Sequence, residues 1–184
     1  RRPLSSTPKP SSAASDVYKR QVHRSEKYNF SKIAAIESRG FVFASAVSYL
    51  TKKPFILLRK KNKLPAETHS VDFKLEYGEA TIEVHKDSIK KGEKVLVIDD
   101  VLTAGTALKQ SLGIISKSGG EVSCCLVALD REEKIDGVVA REKIQQEFDI
   151  DILSLAKISQ LVDFFDKSGK TSQATTIKNY LADL

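Results

Sequence analysis

The chain has 184 residues, of which 41% are hydrophobic and 29% are charged, as is ordinary for one globular domain with a full core. The formal net charge is +6, but five basic residues and one acidic residue within residues 1–21 contribute +4, which leaves +2 for residues 22–184. Such a small charge argues against a nucleic-acid partner, and no apolar run is long enough to span a membrane. Cys124 and Cys125 are neighbours, so they would point to opposite faces of a strand; we expect two reduced, buried thiols and a cytoplasmic location.

The first 21 residues differ from the rest of the chain. They are rich in Ser and Pro and show no apolar period, which is typical of a disordered segment. Residues 11–21 (SSAASDVYKRQ) also resemble the in-frame translation of a transposon-based sequencing adapter. We therefore interpret residues 1–21 as a non-native or disordered segment. We expect residues 22–184 to form one domain whose N-terminal portion is truncated.

From residue 22 onward, short apolar stretches alternate with helical patterns. Residues 22–29 are expected to end a helix, and residues 64–78 hold few core candidates and are expected to form a mobile lid. Strands are predicted at 32–36, 55–58, 80–85, 95–98, 122–129 and 150–154, and helices at 42–50, 107–118, 139–148 and 158–165. This alternation predicts an α/β fold, with a mostly parallel sheet flanked by helices.

Residues 94–107 (KVLVIDDVLTAGTA) combine a buried strand, two carboxylates, a loop of small residues and the start of a helix. Ligands of open α/β sheets bind at the carboxyl ends of the strands. The loop at 103–106 opens a helix, so its N–H groups and the helix dipole suit a phosphate. Asp99 and Asp100 suit vicinal hydroxyls or a metal-bound sugar. The stretch therefore predicts a sugar-phosphate ligand.

A second loop, at residues 37–40, follows another strand in the same way. Arg39 could bind a phosphate through two hydrogen bonds, and Gly40 would allow close approach of the backbone. The alternative is an ordinary helix start with a solvated arginine. The basic run at residues 59–63 (RKKNK) has two interpretations as well, a solvated surface or a clamp on an anionic leaving group.

Residues 95–107 resemble the phosphoribosyl-pyrophosphate signature of type I phosphoribosyltransferases, an apolar strand, two acidic residues and a T-x-G-T loop. ESRGF at 37–41 and the R-K-x-x-K-L-P, Thr and L-E-Y-G pattern within 59–78 resemble adenine phosphoribosyltransferases. The resemblance implies the type I phosphoribosyltransferase fold with a mobile lid. It also implies a homodimer that transfers a phosphoribosyl group from phosphoribosyl pyrophosphate (PRPP) to a nucleobase, with adenine favoured. Mg²⁺ would be held mainly through the substrate, without a dedicated set of protein ligands.

From about residue 101 the resemblance changes to orotate phosphoribosyltransferases. LVALDREE at 126–133 and ISQLVDFF at 158–165 carry it, and TAGTA at 103–107 stands where adenine enzymes usually have A-T-G-G-T. Orotate is therefore the alternative base. The chain is either a natural enzyme of mixed character or an artificial join of two genes at their shared motif, and the sequence leaves both open.

The resemblance implies roles for individual residues. Glu76 would assist proton transfer from the base, and Asp99 and Asp100 would act at the sugar. Tyr77 and Arg131 would contact the base, although Arg131 could equally form an ion pair with Asp130 or Glu132. PRPP would be bound by Ser38, Arg39, Gly40, Arg59, Lys60, Lys63, Asp99, Asp100, Thr103, Ala104, Gly105, Thr106 and Ala107.

A non-enzymatic regulator that senses PRPP is a further alternative. Such a protein would keep the stretch from Asp99 to Thr106 and would not need Glu76 or the basic residues of the lid. This chain has both, which favours an enzyme.

Overall fold

The computed structural model describes residues 12–75 and 78–182. Among these residues the helices are α1 (Ser12–Ser25), α2 (Gly40–Thr51), α3 (Thr106–Lys117), α4 (Ala140–Phe148), α5 (Ile158–Lys167) and α6 (Thr171–Ala182). The strands are β1 (Lys32–Ile36), β2 (Phe55–Lys60), β3 (Thr68–Leu75), β4 (Gly78–His85), β5 (Lys94–Leu102), β6 (Glu121–Asp130), β7 (Lys134–Ile135), β8 (Val138–Val139) and β9 (Ile152–Lys157).

Seven strands form one sheet in the order β3-β4-β2-β1-β5-β6-β9. Strands β2, β1, β5, β6 and β9 run parallel, while β4 is antiparallel to both β2 and β3. Strands β7 and β8 form a separate two-stranded ribbon before α4. The predicted mostly parallel sheet flanked by helices is confirmed.

The sheet has a hydrophobic core on each face, because successive side chains of a buried strand point to opposite sides. One core joins alternate residues of β1 and β5 to α3 and α4. The other joins the intervening residues to α2, with Val22 of α1 packed against it. Cys125 belongs to the first core and Cys124 to the second, and both thiols are free and buried, as predicted.

The structure differs from the sequence-based prediction over residues 12–21. They were expected to be non-native or disordered, and they form most of α1. This helix packs against α2, β6 and β9, and Gln21 and Ser25 are buried there. Tertiary packing therefore orders a stretch whose composition shows no apolar period. The origin of residues 11–21 stays a prediction.

Other differences concern the strands near the predicted site. Strand β5 continues to Leu102 by pairing with β6, so the two aspartates lie within the strand rather than after it. The part of the expected lid at residues 68–75 is strand β3, paired with β4. No described helix is both long and apolar enough to cross a membrane.

Candidate functional site

The predicted site lies at the carboxyl edge of β1 and β5, where the two strands are neighbours in the sheet. Ala35 pairs with Ile98, so Glu37 after β1 and Asp99 in β5 reach the same edge. Helix α2 begins at Gly40 and helix α3 at Thr106, and both start at this edge. Two helix N-termini and two carboxylates therefore converge, as the motifs predicted.

Gly40 allows the start of α2 to lie directly against β5. A Cβ atom at this position would be 2.9 Å from the carbonyl oxygen of Ile98 and 3.4 Å from the Cα atom of Asp99. Arg39 precedes it with its side chain 85% exposed, and its Nη1 atom is 3.9 Å from Oδ2 of Asp100. Ser38 is also exposed, and the peptide bond between Glu37 and Ser38 is cis. This loop therefore offers an exposed guanidinium beside the acidic pair.

The two aspartates interact with each other. The backbone N–H of Asp100 donates to Oδ1 of Asp99 over 2.8 Å. Burial raises the pKa of Asp99 to about 7; the Asp100 N–H opposes this increase, whereas the Asp100 carboxyl adds to it. The raised pKa makes the Asp99 carboxyl easier to protonate near neutral pH than an ordinary aspartate.

The loop at residues 103–106 leads into α3 through Gly105, which has a φ of 76°. A Cβ atom here would overlap Cδ1 of Ile144, a fully buried residue of α4. Ala104, Thr106 and Ala107 are exposed, and no described side chain caps the first turn of α3. The N–H groups of this turn are therefore available to an anion, and α4 supports the loop from behind.

Glu37 organises the basic residues of the site, a role that we did not predict. Its carboxylate accepts hydrogen bonds from the Lys60 backbone N–H at 2.9 Å, from Nζ of Lys63 at 3.1 Å and from Nη2 of Arg59 at 3.4 Å. Burial by itself would raise the pKa of Glu37, but these hydrogen bonds outweigh it and lower the pKa. The sequence did offer a signal, because Glu37 follows one predicted strand and the basic run at 59–63 follows the next.

A cavity of about 90 Å³ connects this network to the first turn of α3. Gln110 of α3 lines it, is 5% exposed, and has an Nε2 atom without a hydrogen-bond partner among the described residues. Sequence analysis did not identify Gln110, because a polar residue in an amphipathic helix is usually solvated. The other lining residues are Ile36, Glu37, Leu58, Arg59, Lys60, Thr81, Ile82 and Ala107.

Arg131 lies one residue beyond β6, at the same edge of the sheet. Its backbone N–H donates to the carbonyl of Leu102 over 3.0 Å, and its Nη2 atom is 2.9 Å from Oε1 of Glu133. The alternative for Arg131, an ion pair with Asp130 or Glu132, is wrong in its partner, because Arg131 pairs with Glu133 while Asp130 pairs with Arg141 and Glu132 with Lys157. The predicted Glu76 and Tyr77 lie outside the described residues.

The donor set at this edge suits a divalent cation only in part. Asp99 and Asp100 offer the oxygen ligands that Mg²⁺ prefers. No group of three or more His, Cys, Asp or Glu side chains converges on one point within 12–75 and 78–182. The residues therefore fit an Mg²⁺ ion whose remaining ligands come from a bound phosphate compound and water.

Comparison with known proteins places these features in a family. Residues 11–152 match the family model described as the phosphoribosyl transferase domain. An adenine phosphoribosyltransferase of Pelagibacter ubique is 60% identical over 109 residues, which are 59% of this chain and 62% of that protein. The chain thus spans less than two thirds of this relative. One from Agathobacter rectalis is 40% identical over 130 residues, which are 71% of this chain and 72% of that protein.

The fold is also found among solved structures. The crystal structure of adenine phosphoribosyltransferase from Thermoanaerobacter pseudethanolicus superposes with a TM-score of 0.72 at 34% identity. The match covers 81% of this chain and 83% of that one. The overall architecture of this chain is therefore a known one.

Proposed function

Because the chain belongs to the phosphoribosyl transferase domain family, we propose that it transfers the 5-phosphoribosyl group of PRPP to adenine, giving AMP and pyrophosphate. The observation that carries this proposal is the convergence of Asp99 and Asp100 with the phosphate loop at residues 103–107. Carboxylates for ribose hydroxyls and N–H groups for a phosphate lie at one sheet edge. This is the arrangement that a ribose 5-phosphate group requires.

In the proposed reaction, the bond between the anomeric carbon and the pyrophosphate oxygen breaks, and a ring nitrogen of adenine bonds to that carbon. Positive charge develops on the sugar while the pyrophosphate leaves with the bonding electrons. Asp99 and Asp100 would hold the ribose hydroxyls and stabilise the positive charge. The resemblance of L-E-Y-G assigns Glu76 to accept the proton that the base nitrogen loses.

The leaving group is stabilised by cations in this proposal. Arg39 is exposed and lies at the start of α2, so it can contact a pyrophosphate from solvent. Arg59 and Lys63 are held by Glu37 and would share their remaining N–H groups with the pyrophosphate. Mg²⁺ bound by substrate oxygens and by Asp99 or Asp100 would neutralise the charge of the diphosphate.

The proposed binding site for the 5-phosphate is remote from the reacting anomeric carbon. Thr103, Thr106 and the N–H groups of the first turn of α3 would bind this phosphate and fix the position of the sugar. Binding energy gained there positions the anomeric carbon against the base.

A turnover assay tests the proposal. Purified protein would be mixed with PRPP, Mg²⁺ and either adenine or orotate, and nucleotide would be detected directly. Replacing Asp100 with Asn should lower kcat by about 10²–10³ if the carboxylate stabilises the transition state. A folded protein that binds PRPP and forms no nucleotide with either base would contradict the proposal and favour a PRPP-sensing regulator.

Orotate is the second candidate base. It is supported by the orotate-type motif at residues 126–133 and by the position of Arg131, whose backbone is bonded to the end of β5. A guanidinium suits the carboxylate of orotate. Product from orotate alone would select this candidate and show that the C-terminal half of the chain determines the base.

We further propose a cytoplasmic homodimer. The two free, buried cysteines are typical of a reducing compartment. Helix α2 exposes Val42 by 60%, Tyr49 by 73% and Leu50 by 48%, and residues seven and eight positions apart share one helix face. Sedimentation of the protein and of Tyr49→Glu tests this, since a monomeric wild type would contradict it.

A further inference from the structure

We infer that Tyr180, in the C-terminal helix α6, positions the Arg131 guanidinium for contact with the base. The Arg131 guanidinium lies over the Tyr180 ring, 5.0 Å from its centroid. Its Nη2 atom is also bonded to Glu133 at 2.9 Å. This inference rests on the proposed function with orotate as the base, because Arg131 is assigned to a base only for that candidate.

Arg131 has a fixed place at the carboxyl edge. Its backbone N–H donates to the carbonyl of Leu102, the last residue of β5. This hydrogen bond extends the pairing of β5 with β6 by one residue and places Arg131 next to the start of the phosphate loop. The side chain is 27% exposed and therefore faces solvent in part. A flexible arginine in such a place would lose conformational entropy on binding a ligand.

Two contacts limit that freedom. Glu133, 13% exposed, pairs with Nη2 of Arg131, and the centroid of the Tyr180 ring lies 5.0 Å from the guanidinium carbon. The carboxylate and the ring together restrict the positions that the guanidinium can take. A guanidinium restricted in this way suits recognition of a planar base.

The α5–α6 hairpin holds Tyr180 in place. Glu132, next to Arg131, accepts a hydrogen bond from the Ser159 N–H in the first turn of α5 at 2.9 Å. Lys178 of α6 bonds to Asp166 of α5 at 2.8 Å. A chain of contacts therefore runs from the sheet edge through α5 to α6 and returns to Arg131. The C-terminal hairpin is thus part of the base side of the site.

The first test compares Tyr180→Ala with Tyr180→Phe, which keeps the aromatic ring. Tyr180→Ala should raise the KM for orotate about two- to fivefold, with the KM for PRPP unchanged. Tyr180→Phe should behave as the wild type. Thr175→Ala is the matched control, because Thr175 is exposed on the same helix and is not one of the contacts that hold Tyr180.

A second measurement does not require turnover. The rate at which phenylglyoxal modifies Arg131, followed by peptide mass spectrometry, should rise in Tyr180→Ala and remain at the wild-type value in Tyr180→Phe. A wild type that makes no nucleotide would contradict the proposed function, and the modification rates would still decide the contact. Equal modification rates in Tyr180→Ala and the wild type, an unchanged KM for orotate, or the same rise in Thr175→Ala would overturn the inference.

Discussion

Gly40 and Ile98 lie so close together that a Cβ atom on the glycine would be 2.9 Å from the isoleucine carbonyl oxygen. The contact is between backbone atoms of α2 and β5, so neither side can move away by changing a rotamer. It places the N-terminus of α2 beside Asp99, and the Arg39 side chain then lies near Asp100. The distance between the start of α2 and the end of β5 therefore depends on the absence of a side chain at residue 40.

Gly40→Ala should displace the start of α2 from the sheet. We expect a loss of about 1–3 kcal/mol in the free energy of unfolding, typical of overpacking, together with a raised KM for PRPP. Urea unfolding and steady-state kinetics would measure the two effects. Ser45→Ala, on the exposed side of the same helix, is the control and should leave both quantities near wild type. An unchanged KM for PRPP in Gly40→Ala would contradict the assignment of this loop.

Gly105→Ala should be more damaging than Gly137→Ala, although both glycines have similar positive φ angles of 76° and 80°. The left-handed backbone costs alanine about 1–2 kcal/mol at either position. Only at Gly105 would the new Cβ also overlap Ile144, since a Cβ at Gly137 meets no atom within 4 Å.

The difference in melting temperature between the two glycine variants therefore measures the effect of the contact between the phosphate loop and α4. Gly105→Ala should also weaken PRPP binding, because the N–H groups of the first turn of α3 would be displaced. Equal melting temperatures for the two variants would show that α4 does not support the loop.

Asp99 should make the folded state less stable as the pH rises from about 4 to about 7. Its pKa is raised by burial from an ordinary value of 3.8 to about 7, so within this range the folded state binds more protons than the unfolded state. Stability gained from the proton is present at low pH and is lost as the pH passes through the folded pKa.

Asp99→Asn should remove this pH dependence, because the amide does not titrate. Unfolding free energies of the wild type and the variant, measured at pH 5 and at pH 8, test it. The wild type should lose more stability than the variant between the two values. Parallel losses would show that the pKa of Asp99 is not raised in the folded protein.

Glu37→Gln should destabilise the protein by about 1–3 kcal/mol, since a half-buried carboxylate with three charge-assisted or backbone hydrogen bonds is lost. Its lowered pKa stabilises the folded state above the ordinary pKa of a glutamate, and this contribution disappears as the pH falls through the folded value. The difference between wild type and variant should therefore shrink in acid. Urea unfolding at pH 7 and pH 3.5 would measure it.

Glu67→Gln is the matched control for that experiment. Glu67 is 84% exposed and pairs with Lys86 at 3.1 Å. The substitution therefore removes a carboxylate and an ion pair at the surface. Such pairs contribute about 0–1 kcal/mol. If the two variants were equally stable, the Glu37 network would have no structural importance.

Prediction from sequence was most accurate where local chemistry determines structure. The strand at Lys32–Ile36 was predicted to the residue, because a short apolar run followed by a loop has few alternatives. Asp99, Asp100 and the phosphate loop were placed correctly at one sheet edge, since their order along the chain fixes their position relative to the strand end. The base-binding role of Tyr77 and the role of Glu76 stay predictions.

Features that depend on distant contacts could not be predicted in this way. Arg131 pairs with Glu133 and lies near Tyr180, whereas its neighbours Asp130 and Glu132 pair with Arg141 and Lys157. Helix α6 itself was missed, since Thr171–Ala182 has one buried residue, Ala174, and little apolar pattern. Glu37 was missed as the organiser of the basic run because its partners come from another strand.

The two adjacent cysteines lie on opposite faces of the sheet, so each can report on the opening of a different helical layer. Cys124 lies in the core beneath α2, and Cys125 lies in the core beneath α3 and α4. Burial raises the pKa of both thiols, so neither reacts while its helical layer stays closed. Single Cys→Ala variants would therefore report, through thiol labelling under native conditions, which layer opens first. Two neighbouring positions can thus distinguish local unfolding on either side of one sheet.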